Sequence, residues 1–237
     1  MMKSIILLSG GLDSTVNFCK ALRESQVICA LTFDYGQRAS SNEVMASQKI
    51  CAHYKVPHQV IRLDWLKHIT HTALVNEEKE LPKLNSSQLD DFEKTTKSAE
   101  SVWVPNRNGV FISIAASFAE SLKADQVVVG FNAEEAVTFP DNSADFIKRI
   151  NSALELSTLS HPKIVCYTQN LNKREIVQLG QELKAPFDLM WSCYRAGKAM
   201  CGTCESCMRF YRAISLSSPD LIGGSILLDS PVKPGND

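Results

Sequence analysis

Long apolar runs are missing from this sequence. The run nearest the N-terminus, residues 5–8, is four residues long, whereas a spanning helix takes about 20 residues and a signal-peptide core about 7–15. The expectation is a cytoplasmic protein with no membrane helix, no secretory leader and no membrane partner. An excess of either charge is missing as well. Lys and Arg total 25 against 26 Asp and Glu, a formal net charge of −1. Without a basic field a direct nucleic-acid partner is not expected, and a small-molecule substrate is the better expectation. Internal repeats and low-complexity tracts are absent too, which excludes a repeat array. In a reducing compartment a disulfide framework is also excluded. The eight cysteines therefore point to metal ligation or to inert core thiols.

What is present is the balance of an ordinary globular protein, 44% hydrophobic and 22% charged. A chain of this length buries about 70% of its unfolded surface and needs no staples. Short apolar runs alternate with helical patterns, the signature of βαβ units. Strands are expected at 4–8, 27–33, 58–63, 126–130 and 163–167, and helices at 14–24, 42–54, 108–122 and 145–156. The helix at 108–122 is apolar on most sides, so it is expected to pack centrally. These elements predict an α/β fold: a doubly wound, mostly parallel five-stranded sheet with helices on both faces. Ligands then belong at the carboxyl ends of the strands. Residues 67–101 are polar with no sustained period and read as a surface excursion, either a lid or a decorating loop. The domain division expected is 1–190 for the α/β domain and 191–237 for a small C-terminal segment.

Ser9-Gly10-Gly11-Leu12-Asp13-Ser14-Thr15 follows the first expected strand and opens the first expected helix. Adjacent glycines let the backbone turn sharply and bring N–H groups close to an anion. The helix start adds unpaired donors and a positive dipole end, and the hydroxyls add more donors. The loop is not a Walker P-loop, because no lysine stands at the required place. The pattern S-G-G-x-D-S resembles the pyrophosphate loop of ATP pyrophosphatases. That resemblance implies that Asp13 helps hold Mg²⁺ with the ATP phosphates. Lys173 opens another expected helix just after a strand. Enzymes of that group place a phosphate-reaching lysine there, although a solvated lysine fits the same position.

Cys193, Cys201, Cys204 and Cys207 are spaced C-x7-C-x2-C-x2-C. Four thiolates in one short segment close a tetrahedral Zn²⁺ site with no open position, so the metal is read as structural. The bond energy is expected to help fold a tail with little apolar content of its own. An iron–sulfur cluster is the rival, but no fourth cysteine with proline follows Cys207. Cys19, Cys29, Cys51 and Cys166 are isolated and read as buried small hydrophobes. His68 and His71 lack metal-binding partners nearby.

Loop and cysteine knot together resemble the 7-cyano-7-deazaguanine synthase family. So do Phe33-Asp34-Tyr35-Gly36-Gln37-Arg38, Val104-Pro105-Asn106-Arg107-Asn108 and Trp191-Ser192-Cys193-Tyr194. One segment departs: where many members carry Tyr-Pro-Asp-Cys, this chain reads Phe139-Pro140-Asp141-Asn142. The resemblance implies a homodimeric ligase joining 7-carboxy-7-deazaguanine and ammonia at the expense of ATP. It further implies that Leu8, Ser9, Gly10, Gly11, Leu12, Asp13, Ser14 and Thr15 bind the phosphates and that Phe33 and Asp34 contact the adenosine. Asp13, Arg107 and Lys173 would carry the chemistry, and Glu134, Glu135 or Asp141 would meet the base. A tRNA-thiolating relative and a zinc-knuckle binding module are the alternative readings. The first lacks the basic face it needs, and the second conflicts with an intact loop.

Overall fold

The computed structural model describes residues 1–217. The C-terminal end of the expected 191–237 segment therefore lies outside the described residues. Five strands, β1 (Lys3–Leu7), β2 (Gln26–Asp34), β3 (His58–Arg62), β4 (Gln126–Val128) and β5 (Lys163–Val165), form one sheet in the order β3-β2-β1-β4-β5. Every pairing is parallel. All five expected strands are present, and the sheet is wholly parallel.

Helices cover both faces, because neighbouring strand residues point to opposite sides. Ile5, Leu31 and Val127 join one core with α5 (Arg107–Leu122) and α6 (Ala144–Ser157). Ile6, Ala30 and Val128 join a second core with α1 (Leu12–Glu24), α2 (Ser40–Tyr54) and α7 (Lys173–Glu182). The fully buried α5 residues Ile112, Ala115 and Ala119 fall on one stripe, so only one side of this apolar helix meets the sheet. Cys19, Cys29 and Cys51 are buried as expected, and Cys166 is half-buried.

Two regions differ from the sequence reading. The 67–101 excursion begins in α3 (Asp64–Ile69) and ends in α4 (Phe92–Val102). α4 buries Thr95, Ser98, Ala99 and Val102, a helical spacing carried by small and polar residues. Leu74, Val75 and Leu81 anchor the intervening chain in the first core. The C-terminal segment is also more apolar than expected. Its helix α8 (Glu205–Ser217) sinks Phe210, Ala213 and Ile214 into the second core.

Candidate active site

Strand order reverses between β1 and β4, and a cavity of about 260 Å³ opens over the carboxyl ends of these strands and β2. The loop from β1 to α1 forms its floor. Gly10 has φ +76°, and a Cβ there would lie 2.7 Å from the Ala46 Cβ. Only glycine lets this turn rest on α2. Gly11 caps α1 without any side-chain hydrogen bond, leaving the first-turn amides for a ligand. Ser9 and Ser14 set their hydroxyls 3.1 Å apart. Gly130 brings the chain after β4 so close that a Cβ would stand 2.6 Å from the Ser14 backbone.

Lys173 is the first residue of α7, whose start is fixed by a capping box between Asn172 and Glu175. Its ammonium is buried and reaches Asp13 Oδ2 at 2.5 Å and Glu135 Oε1 at 2.7 Å. Burial alone would lower this amine, but the two carboxylates more than offset that and hold it charged. Asn132 donates a further bond to Asp13 Oδ2. Asp13 Oδ1 is buried and has no hydrogen-bond partner among the described residues. Burial pushes the Asp13 carboxyl up to about 6 against the pull of Lys173. For Glu135 burial is outweighed by Lys173, which holds it well below the usual carboxylate range. One ammonium thus serves two carboxylates and leaves one oxygen unsatisfied. Those donors suit a hard divalent cation arriving with an anion.

Arg107 opens α5 and donates to the Tyr35 hydroxyl at 3.3 Å. Beside it Phe33 stacks on Phe111, with centroids 4.1 Å apart and planes at 7°. Glu43, in the first turn of α2, reaches the same cavity.

The remaining wall is the cysteine segment. Trp191 donates its N–H to the Gly10 carbonyl at 2.8 Å, and Cys193, Tyr194, Glu205 and Arg209 line the cavity. The Sγ atoms of Cys193, Cys201, Cys204 and Cys207 all lie within 4.8 Å of one another. Two pairs stand at 3.9 and 4.0 Å, close to the roughly 3.8 Å edge of a tetrahedron with metal–sulfur bonds of about 2.3 Å. The Arg195 and Cys201 amides donate to Cys193 Sγ, and the Cys204 amide to Cys201 Sγ. These bonds favour thiolates. The four residues fit a metal ion with no open position.

A buried polar chain joins this wall to the floor. Glu205, next to Cys204, bonds Ser98 of α4 and Arg209. Arg209 reaches Glu134 Oε2 at 3.2 Å, and Glu134 Oε1 accepts the Lys173 amide at 2.8 Å.

Leu8, Ser9, Gly11, Leu12, Asp13, Ser14, Phe33, Arg107, Glu135 and Lys173 all border the cavity. Five expected residues do not. Gly10 shapes the turn from behind, and the Thr15 hydroxyl is buried on the Gly11 carbonyl. Asp34 Oδ1 accepts the Gly36 amide. Glu134 is held by Arg209 and the Lys173 amide, outside the cavity lining. Asp141 also lies outside it, although its neighbours Phe139 and Asn142 are lining residues. The departing Phe139 faces Trp103 at 6.1 Å, nearly parallel. Sequence reasoning gave no role to Tyr35, Glu43, Glu205 or Arg209. Glu43 carried a usable signal: its place in the first turn of the helix after β2 puts it at the ligand-bearing edge of the sheet.

The family described as "Queuosine biosynthesis protein QueC" matches residues 3–217. A 7-cyano-7-deazaguanine synthase of Pelotomaculum thermopropionicum is 54% identical, over 90% of this chain and 96% of its own. One from Carboxydothermus hydrogenoformans is also 54% identical, over 90% and 98%. One from Bdellovibrio bacteriovorus is 47% identical, over 92% and 95%.

Proposed function

Since this chain belongs to the QueC family of queuosine biosynthesis proteins, we propose that it converts 7-carboxy-7-deazaguanine and ammonia into 7-cyano-7-deazaguanine with ATP. The observation that carries the reading is Asp13. Its buried Oδ1, without a hydrogen-bond partner among the described residues, lies where the first-turn amides of α1 and the Lys173 ammonium meet. That combination suits a polyphosphate with its Mg²⁺.

A carboxylate is a poor acyl donor because oxide is a poor leaving group. Attack of a carboxylate oxygen on the α-phosphorus of ATP forms an acyl adenylate and releases pyrophosphate. Ammonia then displaces AMP and gives the amide. The amide oxygen attacks a second ATP, and loss of AMP yields the nitrile. No protein nucleophile is needed, so the protein positions reactants and stabilises charge. The first-turn amides with Ser9 and Ser14 hold the β- and γ-phosphates, while Asp13 would ligate Mg²⁺. Lys173 and Arg107 balance charge on the phosphates and the substrate carboxylate. Phe33, stacked on Phe111, offers an apolar face to a flat ring. Glu135 is the cavity carboxylate among those first assigned to the base.

The four thiolates would hold Zn²⁺, a structural ion that fixes residues 191–217 against the α/β domain. Arg195 and Cys201 supply N–H bonds to this cluster. Among the described residues no helix is long and apolar enough to cross a membrane. A cytoplasmic homodimer acting on small molecules completes the proposal. Balanced charge supports the absence of a nucleic-acid partner, and family resemblance alone supports the dimer.

The test is product mass spectrometry on purified protein with 7-carboxy-7-deazaguanine, ammonium and Mg-ATP. A nitrile with AMP and pyrophosphate is expected. ATP cleavage without nitrile would keep the adenylation site but move the reaction to another nucleophile, the question raised by Phe139 and Asn142.

A further inference from the structure

Turning a carboxylate and ammonia into a nitrile strips three protons from nitrogen: one as the amide forms and two as the amide becomes the nitrile. The reaction proposed above, on which this inference rests, therefore needs a proton acceptor inside the cavity. No histidine is among the lining residues. Lys173 is held charged by Asp13 and Glu135, and both carboxylates are engaged with it in turn. Glu205 is paired with Arg209. Burial raises the phenols of Tyr35 and Tyr194 further from neutrality. Cys193 belongs to the metal cluster. One titratable lining group, Glu43, is left without an ion pair among the described residues.

Its placement is specific. Glu43 stands in the first turn of α2, with its carbonyl 3.2 Å from where a Gly10 Cβ would be, so it abuts the phosphate loop. Oε2 accepts a bond from Gln37 Nε2 at 2.8 Å. Gln37 is buried and fully committed, since it also donates to the Phe33 carbonyl and accepts the Tyr35 amide, each at 3.0 Å. It acts as a strut that fixes one carboxylate oxygen. The other, Oε1, has no hydrogen-bond partner among the described residues. The charged and titratable groups near Glu43 are Arg107 on α5, Asp34 at the end of β2 and Tyr35 just after it. Arg107 has no ion pair among the described residues either, so an anion binder and a free carboxylate stand on the same side of the cavity.

We propose that Glu43 is the proton acceptor for nitrogen in both halves of the reaction, from attacking ammonia in the first and from the adenylated amide in the second. In the first half the C–N bond forms, the C–O bond to AMP breaks with its electron pair, and one N–H proton passes to Glu43. In the second, the adenylated amide loses one N–H proton to become an imidate. The last N–H proton leaves as the C–O bond to AMP breaks and the triple bond closes. Glu43 returns each proton to solvent between steps. Burial, opposed by Gln37 and Arg107 and reinforced by Asp34, places this carboxyl at about 6. It is therefore ionised yet close to the working pH, the range in which a general base is effective.

The experiment compares two readouts in Glu43→Gln. Carboxylate-dependent exchange of labelled pyrophosphate into ATP reads adenylation without ammonia, and amide plus nitrile formation reads the nitrogen steps. Exchange should stay within about tenfold of wild type while the ammonia-dependent steps fall by about 10²–10⁴-fold. With Mg-ATP saturating at every pH, so that the Asp13 titration drops out, and with rates expressed per free NH3, the acidic limb near pH 6 in kcat/KM for ammonia should vanish, and Glu43→Asp should restore part of the rate. Equal losses in both readouts, or an acidic limb that survives Glu43→Gln, overturn the assignment while the reaction stands. A wild-type protein with neither exchange nor nitrile overturns the reaction and this inference with it.

Discussion

The floor and the far wall of the cavity are built on opposite principles. The floor, from Ser9 to Ser14, is a turn between a parallel strand and a helix, pinned by Gly10 against Ala46 and by Gly130 against Ser14. Backbone geometry alone places its amides. The wall, from Trp191 to Arg209, meets the floor through one main-chain bond from Trp191 to Gly10 and a chain of buried polar side chains. Its centre is four thiols within 4.8 Å. A cluster of that kind is stable when a cation neutralises it and repulsive when its thiolates are left bare. The floor is held by hydrophobic packing and ordinary hydrogen bonds, whereas the centre of the wall is a set of four thiols that fits a metal ion. A change in one should therefore injure chemistry and a change in the other should injure folding.

The largest expected effect separates them. Structural Zn²⁺ in small sites contributes about 10–16 kcal/mol of apparent binding energy at neutral pH, so chelation or Cys204→Ser should open the wall. Hydrogen exchange should show amides of 191–209 losing protection while those of β1, β2 and β4 keep theirs. α8 retains its own grip through Phe210 and Ile214. Equal loss of protection in the sheet would mean that the two regions fold as one unit. Asp13→Asn should do the reverse. Removing the carboxylate proposed to ligate Mg²⁺ is expected to lower pyrophosphate release by about 10³-fold, roughly 4 kcal/mol of transition-state stabilisation. The melting temperature should hold, because the variant removes a buried carboxylate and leaves Lys173 paired with Glu135. Normal turnover would remove Asp13 from the metal.

A smaller effect probes the seam between wall and excursion. The Ser98 hydroxyl of α4 bonds Glu205, and both residues are buried. Ser98→Ala should cost about 1.5–3 kcal/mol, the range for a bond to a charged partner, measured by urea unfolding. The nearby Arg212–Asp90 pair has an aspartate side chain 75% exposed, so Asp90→Ala is a control expected to cost no more than about 1 kcal/mol. Equal losses would show that the excursion is not held through Glu205.

The same division decides what could be read from the letters. The strands, the loop and the cysteines announce themselves, because apolar runs, paired glycines and C-x2-C steps are local patterns. Lys173 was legible for the same reason, standing at a helix start after a strand. α4 was not, since its buried face is Thr95, Ser98, Ala99 and Val102, two polar residues, one small one and a single larger apolar one, too little to show a period. α8 hid behind the cysteines, with Phe210 and Ile214 too few to show a period within a tail judged polar. Glu134 and Asp141 looked equivalent to Glu135, but the partners that separate them come from distant places: Arg209 for Glu134 and Lys173 for Glu135. Which carboxylate faces a cavity is a property of tertiary contacts, and a single sequence carries no record of them. Glu43 is different: its helix was placed correctly, and its position in the first turn after β2 was a usable signal that went unread.

The subtlest effect is in pH, and it belongs to the floor and the carboxylate that shares Lys173 with it. Asp13 stands at about 6 because burial outweighs Lys173, and a divalent cation requires its ionised form. Mg-ATP affinity should therefore rise as pH approaches 6 from below, by up to about tenfold or 1.4 kcal/mol per pH unit, and level off above. For stability the same displacement has the opposite sign. The folded, ligand-free protein keeps a proton that the unfolded aspartate releases above 3.8, so this group makes stability fall as pH rises from about 4 to 6. Glu135 works the other way. Held below its ordinary 4.5 by Lys173, it adds stability above that value and loses it as pH drops. The nucleotide's own titration is common to wild type and Asp13→Asn, so the difference between their affinity–pH slopes isolates one proton. That difference should be close to one below pH 6 and vanish above it. Parallel slopes would place the cation elsewhere in the cavity and leave Asp13 only as the partner that holds Lys173.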